Sequence, residues 1–416
     1  MLFLMKLLAS FTTLSLAATA AAVPIFSSRG AASRTAGAAY FITNEDKNFV
    51  VVNRISPDGS VKLAGAISTR GRGAAGAMEA PGPDPLFTQD AVKVGGSNLF
   101  TINAGSNTVV MFSIDAADPA RLKMVGNPVS SGGEFPVSVA FSAARNMVCV
   151  VNGGAVTNVN CYKPDAELGL VAIQGTNRPL TLPVPQTTPP TGPAGTISDI
   201  IFSEDSSKLL VSVKGVPPTP GFLASWDVAE NGTLSEEFLS SPPAEGGLLP
   251  FSLTLVNGKN ALLATDAGVG FETFDLNTLN GASSSPAKSQ VVPIEGQGAT
   301  CWSNFSNKTG TYFLTDIITS IVTEVDVLDD LSGKIVKQYP LAPGSATIDN
   351  AIAALPTNDF LYVLSPNATA IDVMALNGPG QATSVGRFDF GAVAAKLNLP
   401  VSPTRLQGMA VFVKSV

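Results

Sequence analysis

Not one of the 416 residues is histidine. That removes the usual general base of serine and cysteine hydrolases and the commonest ligand of catalytic zinc. The sequence also lacks a G-x-S-x-G elbow, a Walker loop and paired C-x-x-C motifs. Acid–base chemistry would therefore fall to carboxylates, lysine or tyrosine, and neither a metal nor a cofactor is expected. Charge is scarce: 14% of residues are charged, and 25 Lys+Arg against 32 Asp+Glu leave a net −7 with no basic patch. Such a surface repels a phosphate backbone, which excludes nucleic acid as a partner. Beyond the first two dozen residues no apolar run is long enough to span a bilayer.

Glycine and proline are plentiful instead, at 39 and 30 residues, a mixture suited to short strands joined by many turns. The chain opens on Met1-Leu-Phe-Leu-Met-Lys6, an apolar run over 7–16 and a small-residue end at Ala20 and Ala22. These are the parts of a secretory signal peptide over 1–22. A flexible segment over 23–37 and one domain over 38–416 are expected to follow. An exported chain makes the sequons at Asn231, Asn304, Asn307 and Asn367 candidate glycosylation sites. An oxidising compartment also permits a disulfide. Cys149 and Cys161 fall on successive strands around Asn152-Gly-Gly154 and are placed to pair, leaving Cys301, beside Trp302, as a buried small hydrophobe.

One phrase recurs: an apolar strand, a polar turn, and a second apolar strand ending on a polar residue. The second strands lie at 39–44, 99–103, 147–152, 209–214, 261–266, 311–316 and 360–365, recurring roughly every 50 residues. First strands precede six of them, at 91–94, 137–141, 198–202, 251–255, 299–302 and 351–355. The first unit has none, and the missing strand stands at the other end, at 407–412. The pattern predicts an all-β, seven-bladed propeller closed by a C-terminal strand that completes the N-terminal blade. Insertions at 67–90 and 175–196 enter between blades on the face where the inner strands begin, where either could overhang a binding site; a Ser-rich loop at 281–289 is read as a surface insertion.

In this architecture the polar ends of the second strands and the residues entering the first strands surround the channel mouth. The expected ligand-binding ring is Gln89, Asn103, Ser138, Asn152, Lys214, Asp266, Gln297 and Asp316. Strand-end Asn and Asp also cap turns through their own side chains, which is the competing account of each.

Short motifs spread over nearly all of this span carry a resemblance. They are Ser106-Asn-Thr108, Gly133-Glu-Phe-Pro-Val-Ser138, Thr191-Gly-Pro-Ala-Gly-Thr-Ile-Ser-Asp199, Leu249-Pro-Phe-Ser252, Gly296-Gln-Gly-Ala-Thr-Cys-Trp302, Tyr312-Phe-Leu-Thr-Asp316 and Gln407-Gly-Met-Ala410. In these the chain resembles the secreted fungal proteins called 3-carboxymuconate cyclase-like, a branch of the lactonase-type seven-bladed propellers. The resemblance implies an extracellular glycoprotein, cell-wall association included; a monomer that binds a small carboxylate or a carbohydrate is expected. The enzymes of the family add a substrate carboxylate across a double bond without a metal, and a histidine is implicated in moving the proton. This chain cannot supply that histidine, so the family's catalytic set does not carry over. Glu134, Lys214 and Arg405 are the residues that could substitute for it. The expected function is a diverged or non-catalytic propeller that binds a ligand or a surface partner; an active lactonizing isomerase or lactonase and a carbohydrate-binding adhesin are the alternatives.

Overall fold

Short apolar segments separated by turns can bury both of their faces only by stacking sheet upon sheet, and here they do so around a ring. The computed structural model describes residues 35–279 and 290–414. The signal-peptide reading, residues 23–34 and the 281–289 loop lie outside the described residues. Seven antiparallel sheets are present among the described residues, six with four strands and one with five.

Blade 1 is ordered, from the channel outward, Gln407–Val413, Gly37–Ile42, Phe49–Ile55 and Val61–Ser68. The C-terminal strand is therefore its inner strand and pairs with Gly37–Ile42, closing the ring as the repeat pattern predicted. The inner strands of blades 2 to 7 are Val92–Gly95, Pro136–Ser142, Ile197–Phe202, Pro250–Val256, Thr300–Ser306 and Asn350–Ala354. Each packs against the next around the channel. One short helix, Gly391–Lys396, lies in the connection from blade 7 to the closing strand.

Second strands such as Gly37–Ile42, Met147–Asn152 and Ala261–Asp266 are buried along their whole length. Sheets cover both of their faces, so they read as unbroken apolar runs rather than alternating patterns. In blade 6 the inner strand runs to Ser306, four residues beyond the expected 299–302. Its polar half stays in the sheet because blade 7 satisfies it: Asn304 Nδ2 donates to Asn350 O at 2.7 Å, and Ser306 Oγ to Asp359 Oδ2 at 2.7 Å. In blade 3, Cys149 and Cys161 stand directly opposite on neighbouring strands and are bonded, with Cα atoms 4.1 Å apart. Cys301 is free and buried.

Candidate functional site

The inner strand of blade 2 has four residues, against seven in blades 3, 5 and 6. The chain just before it, 84–90, runs into the channel where a longer inner strand would lie. This is the end of the first insertion, and the second insertion clasps it. Ala77 pairs with Thr191, Ala77 N donates to Pro190 O at 2.8 Å, and Gly192 N donates to Ala77 O at 3.0 Å. Phe87 is gripped between the two loops. A Cβ on Gly76 would lie 2.3 Å from its ring and one on Gly192 2.6 Å, so both loops need glycine at the contact. Asp84, Phe87 and Asp90 all hold φ near +60°, a region that costs L-residues energy and persists only where surrounding contacts enforce it.

Those contacts come from around the ring. Thr88 O accepts from Trp302 Nε1 of blade 6 and from Gln407 Nε2 of blade 1, both at 2.9 Å. From blade 4, Ser198 O accepts from Gln89 N at 2.9 Å and also from Thr88 Oγ1. Ser303 N of blade 6 donates to Gln89 Oε1 at 3.0 Å, and Val139 N of blade 3 to Asp90 O at 3.0 Å. Leu86 and Phe87 are buried. The segment is a plug: the end of an insertion read as one that could overhang a binding site instead enters the channel.

Lys214, at 1% exposure, lies beneath the plug. Its ammonium donates to Phe87 O at 2.8 Å, Ser198 Oγ at 2.5 Å and Ile197 O at 3.3 Å, and it sits over the Phe251 ring. Burial pushes this amine well below the usual lysine range, against the pull of Asp84. Burial likewise pushes the Asp84 carboxyl up, against Lys214. Asp199 is raised by burial and by Asp90, and Asp349 by burial and by Asp84. Asp349 Oδ2 accepts from Gln407 Nε2 and Gly408 N, both at 2.8 Å. Burial would depress Lys93, but Asp90 and Asp199 outweigh it and raise the amine. Four carboxyls therefore share the channel with two amines.

The expected ring residues do sit at or near the blade ends, and most of their polar atoms are hydrogen-bonded inside the fold, Asn152 Oδ1 and Gln89 Nε2 excepted. Asp316 accepts from the backbone N–H groups of Gly298, Ala299, Ile318 and Thr319, and Asp266 from those of Leu248, Leu249 and Gly268. Gln297 accepts from Thr300 N and donates to Ala267 O. Asn103 binds Asn48, Thr69 and Thr108; Asn152 donates to Ser131 O and Asn158 Oδ1; Ser138 donates to Asp199. Gln89 belongs to the plug itself. Of the three catalytic candidates, Glu134 receives Thr188 Oγ1 from the second insertion, Arg405 lies near Glu45, and Lys214 is under the plug. No hydrogen bond or ion pair joins any two of them among the described residues.

Open space lies at the other end of the channel, where the inner strands finish. A cavity of about 640 Å³ is lined by Gln89, Asp90 and Lys93 at its inner end, and by Phe141, Phe202, Thr254, Asn304, Phe305 and the turns at Ala144, Glu204, Asn257 and Asn307. The sequence held one clue to the plug: Leu86 and Phe87 are large apolar residues inside a Pro-rich insertion, followed by an unusually short first strand. Asp84, Lys93, Asp349 and the indole N–H of Trp302 gave no local signal, because their partners are remote in the chain.

A ring of seven four-stranded units closed by the last strand defines a seven-bladed β-propeller, and solved structures of the lactonase type share it. The periplasmic gluconolactonase of Pseudomonas aeruginosa aligns with a TM-score of 0.63 and 14% identity, over 91% of this chain and 99% of that one. A Lactobacillus plantarum protein aligns with a TM-score of 0.62 and 13% identity, over 90% and 99%. A candidate 6-phosphogluconolactonase from Bacteroides fragilis gives 0.59 and 11%, over 91% and 98%. At these identities the likeness shows the fold. No protein-family model and no curated protein matches the sequence.

Proposed function

We propose that this chain is a non-catalytic, ligand-binding propeller of the lactonase type, exported and glycosylated like the secreted fungal 3-carboxymuconate cyclase-like proteins it resembles. The observation that carries the reading is the plug. Residues 84–90 fill the channel on the face where the ring of polar strand ends was expected to meet a ligand, and they bury Lys214, the one amine placed to act there. A buried amine with a shifted titration is often a catalytic mark, but one whose protons go to Phe87 O, Ser198 Oγ and Ile197 O has no route to a substrate. Histidine, implicated in proton transfer in the related enzymes, is absent. The test is absorbance of the purified full chain with 3-carboxymuconate, its lactone and glucono-lactone. No turnover above the buffer rate is expected. Turnover that disappears in a folded Lys214→Ala variant would overturn the reading and place an enzyme site beneath the plug.

A further inference from the structure

We propose that the 640 Å³ cavity at the lower end of the channel binds an uncharged, hydroxyl-rich ring molecule, a sugar unit. The inference rests on the ligand-binding reading above and names where and what the protein binds. The cavity's size is ordinary for a small-molecule site, and its lining mixes apolar faces with convergent polar groups as such sites do.

Charge decides the ligand class. Among the described residues on the wall Lys93 is the only amine; it is ion-paired with Asp90 and has Asp199 behind it, while Glu204 stands at the rim. With Lys93 tied to Asp90, Glu204 carries the remaining charge among the described lining residues, and a carboxylate or phosphate ligand meets no free cation there. An organic cation would have to compete with the tethered ammonium of Lys93 for Asp90. An uncharged ligand avoids both costs.

One donor is free. Gln89, at 6% exposure, is fixed by its Oε1 accepting from Ser303 N at 3.0 Å. Its Nε2 donates to no group among the described residues, and the side chain lines the cavity. The amide nitrogen meets the open space of the cavity, where a ligand hydroxyl can accept from it in place of water. Phe141, Phe202 and Phe305 offer apolar faces for the C–H side of a sugar ring, and Phe141 is held in place by stacking on Phe100 with centroids 5.5 Å apart.

The test is saturation-transfer NMR and calorimetry of the full chain with glucose, galactose, mannose and N-acetylglucosamine, against citrate and 3-carboxymuconate as anionic controls. Ala144 is an exposed turn residue at the rim. Ala144→Trp should block the entrance and abolish binding without moving the melting temperature. Gln89→Glu keeps the acceptor for Ser303 N, removes the free donor, and should weaken binding up to about tenfold. Binding of at least one neutral sugar, lost in the first variant and weakened in the second, is the expected result. Failure of every sugar to bind, preference for an anion, or sugar binding that survives Ala144→Trp would each overturn the inference. The last outcome would leave the ligand-binding reading standing with its site elsewhere. Turnover of the muconate or a lactone, by contrast, would sink the non-catalytic reading while leaving the cavity's sugar binding to be judged on its own.

Discussion

At the scale of single residues, the fold tolerates polar groups in dry places, and each leaves a measurable trace. Glu272 is buried in blade 5, and neither carboxylate oxygen has a hydrogen-bond partner. Burial first, and Asp266 second, raise its carboxyl well above the ordinary range. The folded protein therefore holds a proton that the unfolded chain releases near pH 4.5. That contribution to stability is present in full below the unfolded value. It is lost as pH rises toward the folded value, because stability falls wherever the folded state binds more protons. Urea midpoints of wild type and Glu272→Gln should agree closely at pH 4, with the variant ahead at pH 8; parallel midpoints at both pH values would refute the assignment. The neighbouring sequons separate in the same way. Asn304 is half-buried, and its Nδ2, the atom that carries a glycan, is donated to Asn350 O and Oδ1, whereas Asn307 stands exposed on the turn. On the proposed export, glycopeptide mass spectrometry of the chain expressed through a secretory route should find sugar at Asn307 and none at Asn304.

At the scale of elements, the plug behaves as a strand substitute whose removal uncovers the channel. Leu86 and Phe87 are buried, and each such side chain contributes about 1.5–3 kcal/mol relative to exposure. Replacing 84–90 with a Gly-Ser segment of equal length should cost roughly 3–6 kcal/mol. It should also free the indole N–H of Trp302, so that tryptophan emission moves to the red and acrylamide quenching rises. Unchanged quenching would mean that the channel stays sealed by other groups. The sequence announced the elements better than their contacts. Second strands were legible because neighbouring sheets bury both faces, leaving apolar runs such as 147–152 and 261–266. The far end of the blade 6 inner strand was not, since Asn304 and Ser306 look like turn residues until blade 7 supplies their acceptors. The strand-end Asp and Asn were legible as a ring, but not where their hydrogen bonds go. Nor was the plug, whose carbonyl at Thr88 meets Trp302 and Gln407, residues 214 and 319 positions away. Periodicity reports a residue's own environment and says little about a partner three blades distant.

At the scale of the whole molecule, closure and plugging are one device. The strand Gln407–Val413 pairs with Gly37–Ile42, and its first residue also binds Thr88 O in the plug and Asp349 in blade 7. Deleting 407–416 thus removes more than an edge: it opens the ring, leaves Gly37–Ile42 with unpaired backbone beside the channel, and strips Asp349 and Thr88 of a shared partner. A ring whose units are each packed against two neighbours loses cooperativity when one interface is cut. The truncated chain should show no sharp thermal transition and should bind a hydrophobic dye. The same reasoning predicts that covalent order along the chain is immaterial so long as all strands are present. Lys414 N donates to Ala36 O at 2.9 Å, so the two ends of the described body lie side by side and a short linker can join them. A permutant joined there and opened at the exposed turn Asn257-Gly258 keeps every blade complete. It should melt cooperatively within about 5 °C of wild type, and quenching of Trp302 should match wild type because the plug keeps Gln407. A permutant that melts broadly would mean that joining the ends elsewhere than in blade 1 weakens the ring. A truncation that still melts sharply would show that six complete blades hold the channel without the closing strand.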